Sequence, residues 1–374
     1  MSLLVLLIPF ITCLVLFIFF RSKVNIIEYL CTLAASFLLY SIFYFVSKSI
    51  IENDTEYLGS YVESIYHEDD WDEWIHKTCT RKVPSGKDSK GNTIYKTESY
   101  DCSYRRYHHD KWYATPNIGG SFYIDKSEYD YWRKIWATPE IFIDKKRRYY
   151  TIDGDAQRYD RSNEILKFWN ITESHSYSNP IMRSDNIYSK KKVKDKTGLY
   201  EYPEIKNRDQ KNILGISVPS SIDKKWRYIN SYYGYKHQIR IYLMFFHNKN
   251  ADVAFDQINY WEGGNKNEFL IMIGLDGTAN VQWAKCHSWS DKPVMDVNIE
   301  SYISSFIGKN LDLDKLADKV ISEIPNWKRK EFKDFDYIDY EMSSDLYIIL
   351  IISMIILSVI CGVVIVRNDL NLMG

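Results

Sequence analysis

The 374-residue sequence has no excess charge of either sign: 48 Lys and Arg face 49 Asp and Glu, a net charge of −1. That balance argues against a nucleic-acid-binding protein, which needs a surplus of cations. Specific catalytic motifs are also absent. There is no G-x-S-x-G nucleophile elbow, no H-E-x-x-H metal helix, no P-loop and no dinucleotide-binding glycine pattern. No internal repeat is found. The sequence therefore names no catalytic residue, no metal ligand and no cofactor. Long apolar runs are missing from the middle of the chain. Hydrophobic residues make up 45% of the total but gather at the two ends, and the centre is polar and aromatic.

Three uncharged runs stand out, at residues 3–20, 29–46 and 346–366. A helix crossing a hydrocarbon core of about 30 Å needs ~17–25 apolar residues, so each run can span. The first has a rival reading as a signal peptide, but it lacks a basic leading segment and a small-residue cleavage site. Arg21 and Lys23 sit between the first two runs, and Arg367 follows the third. Basic flanks favour the cytoplasm. The expected path puts the central region outside and the C-terminus inside, although Lys48 dissents. The acidic start of the centre, Glu52, Asp54 and Glu56, suits the outer side.

The expected organisation has four parts. Residues 1–51 hold two transmembrane helices, and 52–196 form a β-rich soluble region. An α/β region covers 197–343, and 344–374 carries the last transmembrane helix and a short tail. The boundary at 196 follows a Ser, Asn and Lys-rich stretch with the run Lys190-Lys191-Lys192-Val193-Lys194. In the β-rich part, Asp153-Gly154 between two β-type runs signals a hairpin. Asp153, Asp155, Asp160 and Glu164 imitate a Ca²⁺ loop, but Arg158 occupies the position that needs glycine. A helix is expected at 126–137, with Tyr129, Trp132, Ile135 and Trp136 on one face.

In the second part the pattern alternates. A helix is expected at 221–233 and buried strands at 239–246 and 269–275, with a return strand at 281–286. Asn250 is placed as the cap of a helix that buries Ala251, Ala254, Phe255, Ile258 and Trp261. Gly263-Gly264 ends it. Asp312 caps a last helix with Leu313, Leu316, Ala317, Val320, Ile321 and Ile324 inward, closed by Pro325. Strand, helix and strand in about 30 residues make a βαβ unit if the strands are parallel.

The run Trp261-Glu262-Gly263-Gly264-Asn265-Lys266-Asn267-Glu268, continuing into Phe269-Leu270-Ile271-Met272-Ile273-Gly274, resembles the signature of TPM domains. The similarity covers roughly residues 225–328. The family's glycine-rich segment after the hairpin is replaced here by Trp283-Ala284-Lys285-Cys286-His287-Ser288-Trp289. The resemblance implies a small membrane-anchored, extracytoplasmic α/β sandwich. Family members include phosphatase-like proteins and assembly or repair factors. The whole chain also resembles uncharacterised membrane proteins of bacteria and bacterial viruses.

Of the six cysteines, Cys13, Cys31 and Cys361 lie in the apolar runs and Cys286 in an expected strand. Cys79 and Cys102 flank a Gly, Ser and Lys-rich loop at 84–92. A hairpin centred near Lys90-Gly91 puts them opposite each other, close enough for a disulfide. Outside the cytoplasm oxidation is the expected state. Free thiols and a metal site with His76, His108 and His109 are the alternatives, and the wide cysteine spacing is unlike a zinc site. The acidic stretch Glu68-Asp69-Asp70-Trp71-Asp72-Glu73 reads as a solvated turn or helix start, or as paired carboxylates. Asn53-Asp54-Thr55 and Asn170-Ile171-Thr172 are glycosylation sequons that matter only in a eukaryotic host.

The fold expected is a membrane-anchored α+β protein with three transmembrane helices around a large soluble region. Its expected partners are the lipid bilayer and a protein or envelope component, with no nucleic acid and no catalysis. The alternative is a TPM-like, metal-dependent phosphate-ester hydrolase. A hydrolase would gather carboxylates near 265–268, Asp276 and Asp291. A binding module would expose an aromatic patch.

Overall fold

The computed structural model describes residues 2–20, 26–145, 155–184, 187–340 and 342–368. Arg21, Lys23 and the expected Asp153-Gly154 turn lie outside the described residues. A 3-10 turn, Ser2–Leu6, leads into α1 (Leu7–Phe19), and α2 (Ile26–Glu52) follows. With the C-terminal Ser344–Asn368 helix, these carry the apolar ends of the chain. Among the described residues, two helices are long and apolar enough to cross a membrane, Ile26–Glu52 and Ser344–Arg367. Only 22% of each span window is buried, which is unlike a core helix. Among the described residues the first apolar helix, Leu4–Phe19, is shorter than these two. Val5, Tyr40, Leu350 and Met354 form a buried cluster that joins all three segments.

The helix α2 runs directly into β1 (Asn53–Glu68), the hub of the β-rich region. After it come β2 (Trp71–Ile75), β3 (Thr78–Lys87), β4 (Thr93–Asp101), β5 (Tyr104–His108), β6 (Lys111–Pro116) and β7 (Phe122–Tyr123). Helix α3 (Lys126–Trp136), β8 (Ile141–Ile143), β9 (Ala156–Asp160) and β10 (Asn170–Ser178) complete it. The first half of β1 pairs with β10, and its second half lies between β6 and β9. A bulge between Val62 and Ser64 marks the exchange of partners. Asp125 caps α3 by accepting from the Glu128 N–H at 2.8 Å. Tyr129 and Trp136 then pack with Val62, Ile65, Ala114 and Ile171.

The strands β3 and β4 form the expected hairpin, with Gly91 at φ 85° in its turn. The register differs from expectation. The turn centres on Lys90, and a bulge between Pro84 and Gly86 shifts the pairing by one more residue, so Cys79 faces Tyr100 and Cys102 is its diagonal neighbour. The sulfurs nevertheless sit at disulfide distance, with the Cα atoms 5.8 Å apart. Every residue of β4 is exposed, so a bridge restrains this hairpin rather than the core. In the unreduced full-length protein, alkylation mapped by mass spectrometry should leave Cys79 and Cys102 unmodified, and both should react after reduction. Modification of both before reduction would contradict the bridge.

The second region contains β11 (Ile205–Lys206), β12 (Asp209–Gln210), β13 (Ile213–Leu214), α4 (Ser220–Tyr228), a π-helical turn (Ile229–Tyr233) and α5 (Gly234–His237). Then follow β14 (Arg240–His247), α6 (Asp252–Tyr260), β15 (Glu268–Leu275), β16 (Val281–Ser288), α7 (Val294–Ser304), α8 (Leu313–Glu323) and the terminal α9 (Ser344–Asn368). The sheet order is β13-β14-β15-β16. The first three strands are parallel and β16 returns antiparallel. Ile241, Leu243 and Phe245 face one core with α4, α7 and α8; Tyr242, Met244 and Phe246 face another with α6. Burial on both faces explains the nearly unbroken apolar strands. Tyr188 and Val193, N-terminal to residue 196, pack into the α6 side.

Helix α6 differs from expectation in its face. Val253, Ala254, Gln257 and Ile258 are buried, whereas Phe255 is 56% exposed. The polar Gln257 turns inward because its amide serves both backbone groups of Tyr200, at 2.8 and 3.0 Å. Asn250 does not cap the helix; Ala251 stands there without a side-chain cap. In α8 the expectation is met, with Asp312 accepting from the Asp314 and Lys315 N–H groups. Leu316, Ala317, Val320 and Ile324 are fully buried.

A buried Arg183 ties the apolar helices α2 and α9 to the central region. Its guanidinium donates to Glu52 at the end of α2 (2.7 Å) and to Asp336 Oδ1 (3.0 Å) and the Ile338 carbonyl (3.1 Å) ahead of α9.

Candidate functional site

Two concave sites stand out, each lined by residues of both regions. The first is a polar cleft of about 280 Å³ between the start of β1 and the end of α6. Its walls include Asp54, Tyr57, Lys190, Tyr202, Tyr260 and Asn265. The local chain path builds it. Glu262, Gly263 and Gly264 all have positive φ, so α6 stops abruptly and the chain doubles back into β15. A Cβ on Gly264 would lie 2.6 Å from the Glu268 carboxylate, so glycine is required there twice over.

Behind the cleft lies a buried polar network. Glu268 is 1% exposed and accepts from the Asn265 N–H and side-chain amide, both at 2.9 Å, and from the Tyr202 hydroxyl. Burial pushes its carboxyl above the usual range. Tyr177 donates to Asp54 (3.1 Å) and lies 3.0 Å from the Asn265 side-chain oxygen, and Asn179 donates to Asp54 at 2.7 Å. Burial first, and the neighbouring carboxylates second, raise both Tyr177 and Tyr202. A network so fully paired holds β1 against β15 and leaves no nucleophile poised with a free base.

The carboxylates that a hydrolase would gather do not converge. Glu268 and Asp276 flank opposite ends of the eight-residue β15, about 25 Å apart at strand rise. Asp276 closes its own turn by accepting from the Thr278 hydroxyl and from the Asn280 and Thr278 N–H groups, and these bonds hold its carboxyl below the usual range. Asp291 pairs with Lys328 at 2.6 Å. Among the described residues, no three His, Cys, Asp or Glu are grouped to hold a metal ion. His108 stacks on Trp71 at 3.9 Å and pairs with Glu73 at 3.0 Å, away from any cysteine cluster. The acidic stretch 68–73 is neither a helix start nor a free turn. Asp72 and Glu73 lie in β2 and pair with Arg105 and Arg106 of β5. Asp155, Asp160 and Glu164, the described members of the calcium-like pattern, bond to the Lys145 N–H, to Arg158 and to Lys167.

The second site is an open groove of about 840 Å³ on the β-rich region. Three separate segments meet there. The β7–α3 segment supplies Phe122, Tyr123, Tyr131 and Trp132; the start of β10 supplies Trp169; the β11–β12 turn supplies Asn207 and Arg208. Trp132 and Trp169 stack with centroids 5.0 Å apart and planes at 9°. Phe122 meets Trp169 edge-on at 6.1 Å. Arg208 lies 3.7 Å over the Phe122 ring and pairs with Glu173 at 2.8 Å. Asn207 and Arg208 both have positive φ, as a tight two-residue hairpin turn requires. Tyr123 and Tyr131 are 75% and 56% exposed, although buried packing is the usual fate of such rings.

Sequence reasoning reached only Cys79 and Cys102 as named site residues, and these lie on the β3–β4 hairpin apart from both sites. The groove residues were missed because they are distant in sequence. The sole hint was the abundance of 31 Tyr and 11 Trp. Comparison with known proteins finds no matching family model, no matching curated protein and no matching solved structure.

Proposed function

We propose that the chain is a multi-pass membrane protein that displays its central region outside the cytoplasm. There it binds a protein or envelope component through the aromatic groove, without catalysis. The exposed rings of Tyr123 and Tyr131 over the Trp132–Trp169 stack carry this reading. Contiguous exposed aromatic surface marks interaction sites more often than chance packing.

The membrane part rests on four observations. The helices Ile26–Glu52 and Ser344–Arg367 are of spanning length. The N-terminal segment adds about 20 Å of α-helix to about 10 Å of 3-10 turn, which together approach the hydrocarbon thickness. Basic Arg367 at the end of α9 favours a cytoplasmic C-terminus, and a Cys79–Cys102 bridge suits an oxidising compartment. The alternative, a TPM-like phosphate-ester hydrolase, has less support, because Glu268, Asp276 and Asp291 are dispersed and already paired.

The test is retention of the full-length protein, in lipid nanodiscs, on isolated envelopes of its native host. Replacing Tyr123 and Tyr131 together with alanine should weaken retention by about tenfold or more, as removal of central aromatic anchors does. Equal retention of both proteins would refute the groove as the binding site.

A further inference from the structure

We propose that the groove between β7, α3 and the β11–β12 turn is a binding site for a neutral oligosaccharide. This deepens the binding reading above and rests on it. The argument starts from what a sugar ring presents. One face carries C–H bonds with slight positive charge, and the rim carries hydroxyls that both donate and accept. The π-faces of Tyr and Trp are negative and match the first. Groups that donate and accept side by side match the second.

The groove offers both. Tyr123 and Tyr131 stand largely exposed beside a rigid floor made by the Trp132–Trp169 stack. Around them are an amide (Asn207), a hydroxyl (Ser127), a guanidinium (Arg208) and a carboxyl (Glu128). Burial and the neighbouring Asp125 raise the Glu128 carboxyl above the usual range.

Other occupants fit less well. An added peptide strand needs a long free edge, and β7 is only two residues long. A basic peptide needs several free carboxylates; of the two that line the groove, Asp125 is spent on the Glu128 N–H (2.8 Å) and the Ser127 hydroxyl (2.5 Å) at the start of α3, which leaves Glu128 alone. An anionic sugar needs a free cation, and Arg208 is already neutralised by Glu173. The volume of about 840 Å³ lies near the upper end for ligand sites and suits a chain of sugars rather than one ring.

The experiment uses the full-length protein in nanodiscs against a panel of neutral hexose and N-acetylhexosamine tetrasaccharides, with uronic-acid tetrasaccharides for comparison. Binding is read by calorimetry or by quenching of tryptophan fluorescence. At least one neutral tetrasaccharide should bind, and more tightly than its uronic counterparts. Tyr123→Ala with Tyr131→Ala should weaken it by about tenfold or more. Tyr123→Phe with Tyr131→Phe should retain most of the affinity, because the ring face does the work. Tyr337→Ala, at an exposed tyrosine outside the groove, should change nothing.

Absence of any neutral-sugar binding, or binding indifferent to the alanine pair, overturns the inference. If envelope retention still depends on Tyr123 and Tyr131 in that case, the ligand is a protein and the broader reading stands. If retention is also indifferent to them, both fall.

Discussion

Gly59→Ala is expected to destabilise the protein by about 3 kcal/mol or more, at the upper end for overpacking a rigid site. Gly59 lies in β1 where that strand passes beneath the π-helical turn. A Cβ built there would fall inside the carbonyl of Asn230 and 2.9 Å from the Ser231 Cα. These are backbone atoms and cannot rotate away. The turn cannot shift either, because the Asn230 side chain bonds both backbone groups of Ile241, at 2.9 and 2.7 Å. Nor can β1 move, since it is laddered to β10 on the same stretch. Typical domains have only ~5–15 kcal/mol of stability, so the loss should appear as a large drop in melting temperature. Gly120, with nothing within 4 Å of its Cβ position, is the control. Gly120→Ala should change stability by less than about 0.5 kcal/mol. Similar melts for the two variants would mean that the regions do not meet as described.

Phe269→Ala should cost about 3–5 kcal/mol, the range for deleting a buried ring. Phe269 is fully buried in β15 and meets Trp327 edge-on at 6.1 Å. Phe255→Ala should have an effect smaller than about 1 kcal/mol, because more than half of that residue is already in water. The pair separates the observed face of α6 from the face that periodicity alone suggests. Equal costs measured by denaturant titration would restore the latter.

Local features were legible where one physical rule acted alone. The apolar strands at 239–246 and 269–275 and the Asp312-capped helix follow from two-sided burial and from side-chain capping. The α6 face was misjudged because two apolar stripes compete there. The stripe that wins contains Gln257, which is polar and enters the core only because Tyr200, distant in sequence, offers it two backbone partners. The Cys79–Cys102 register was misjudged because the turn centres on Lys90 and the bulge near Gly86 adds a second one-residue shift, and no periodicity announces either. The role of β1 as hub was not legible, and the aromatic groove was hinted at only by the abundance of Tyr and Trp. Both depend on pairings between segments tens of residues apart, such as Tyr61 with Asn170.

The central claim, display of the whole central region on the outer side of a membrane, is tested most directly by epitope accessibility. One epitope is inserted between Ser89 and Lys90, in the exposed β3–β4 turn, and another is placed after Gly374. In intact cells of the native host, opened only as far as the membrane that holds the protein, antibody should bind the first epitope. It should reach the second only after that membrane is permeabilised. Binding to the C-terminal epitope alone before permeabilisation would contradict the account.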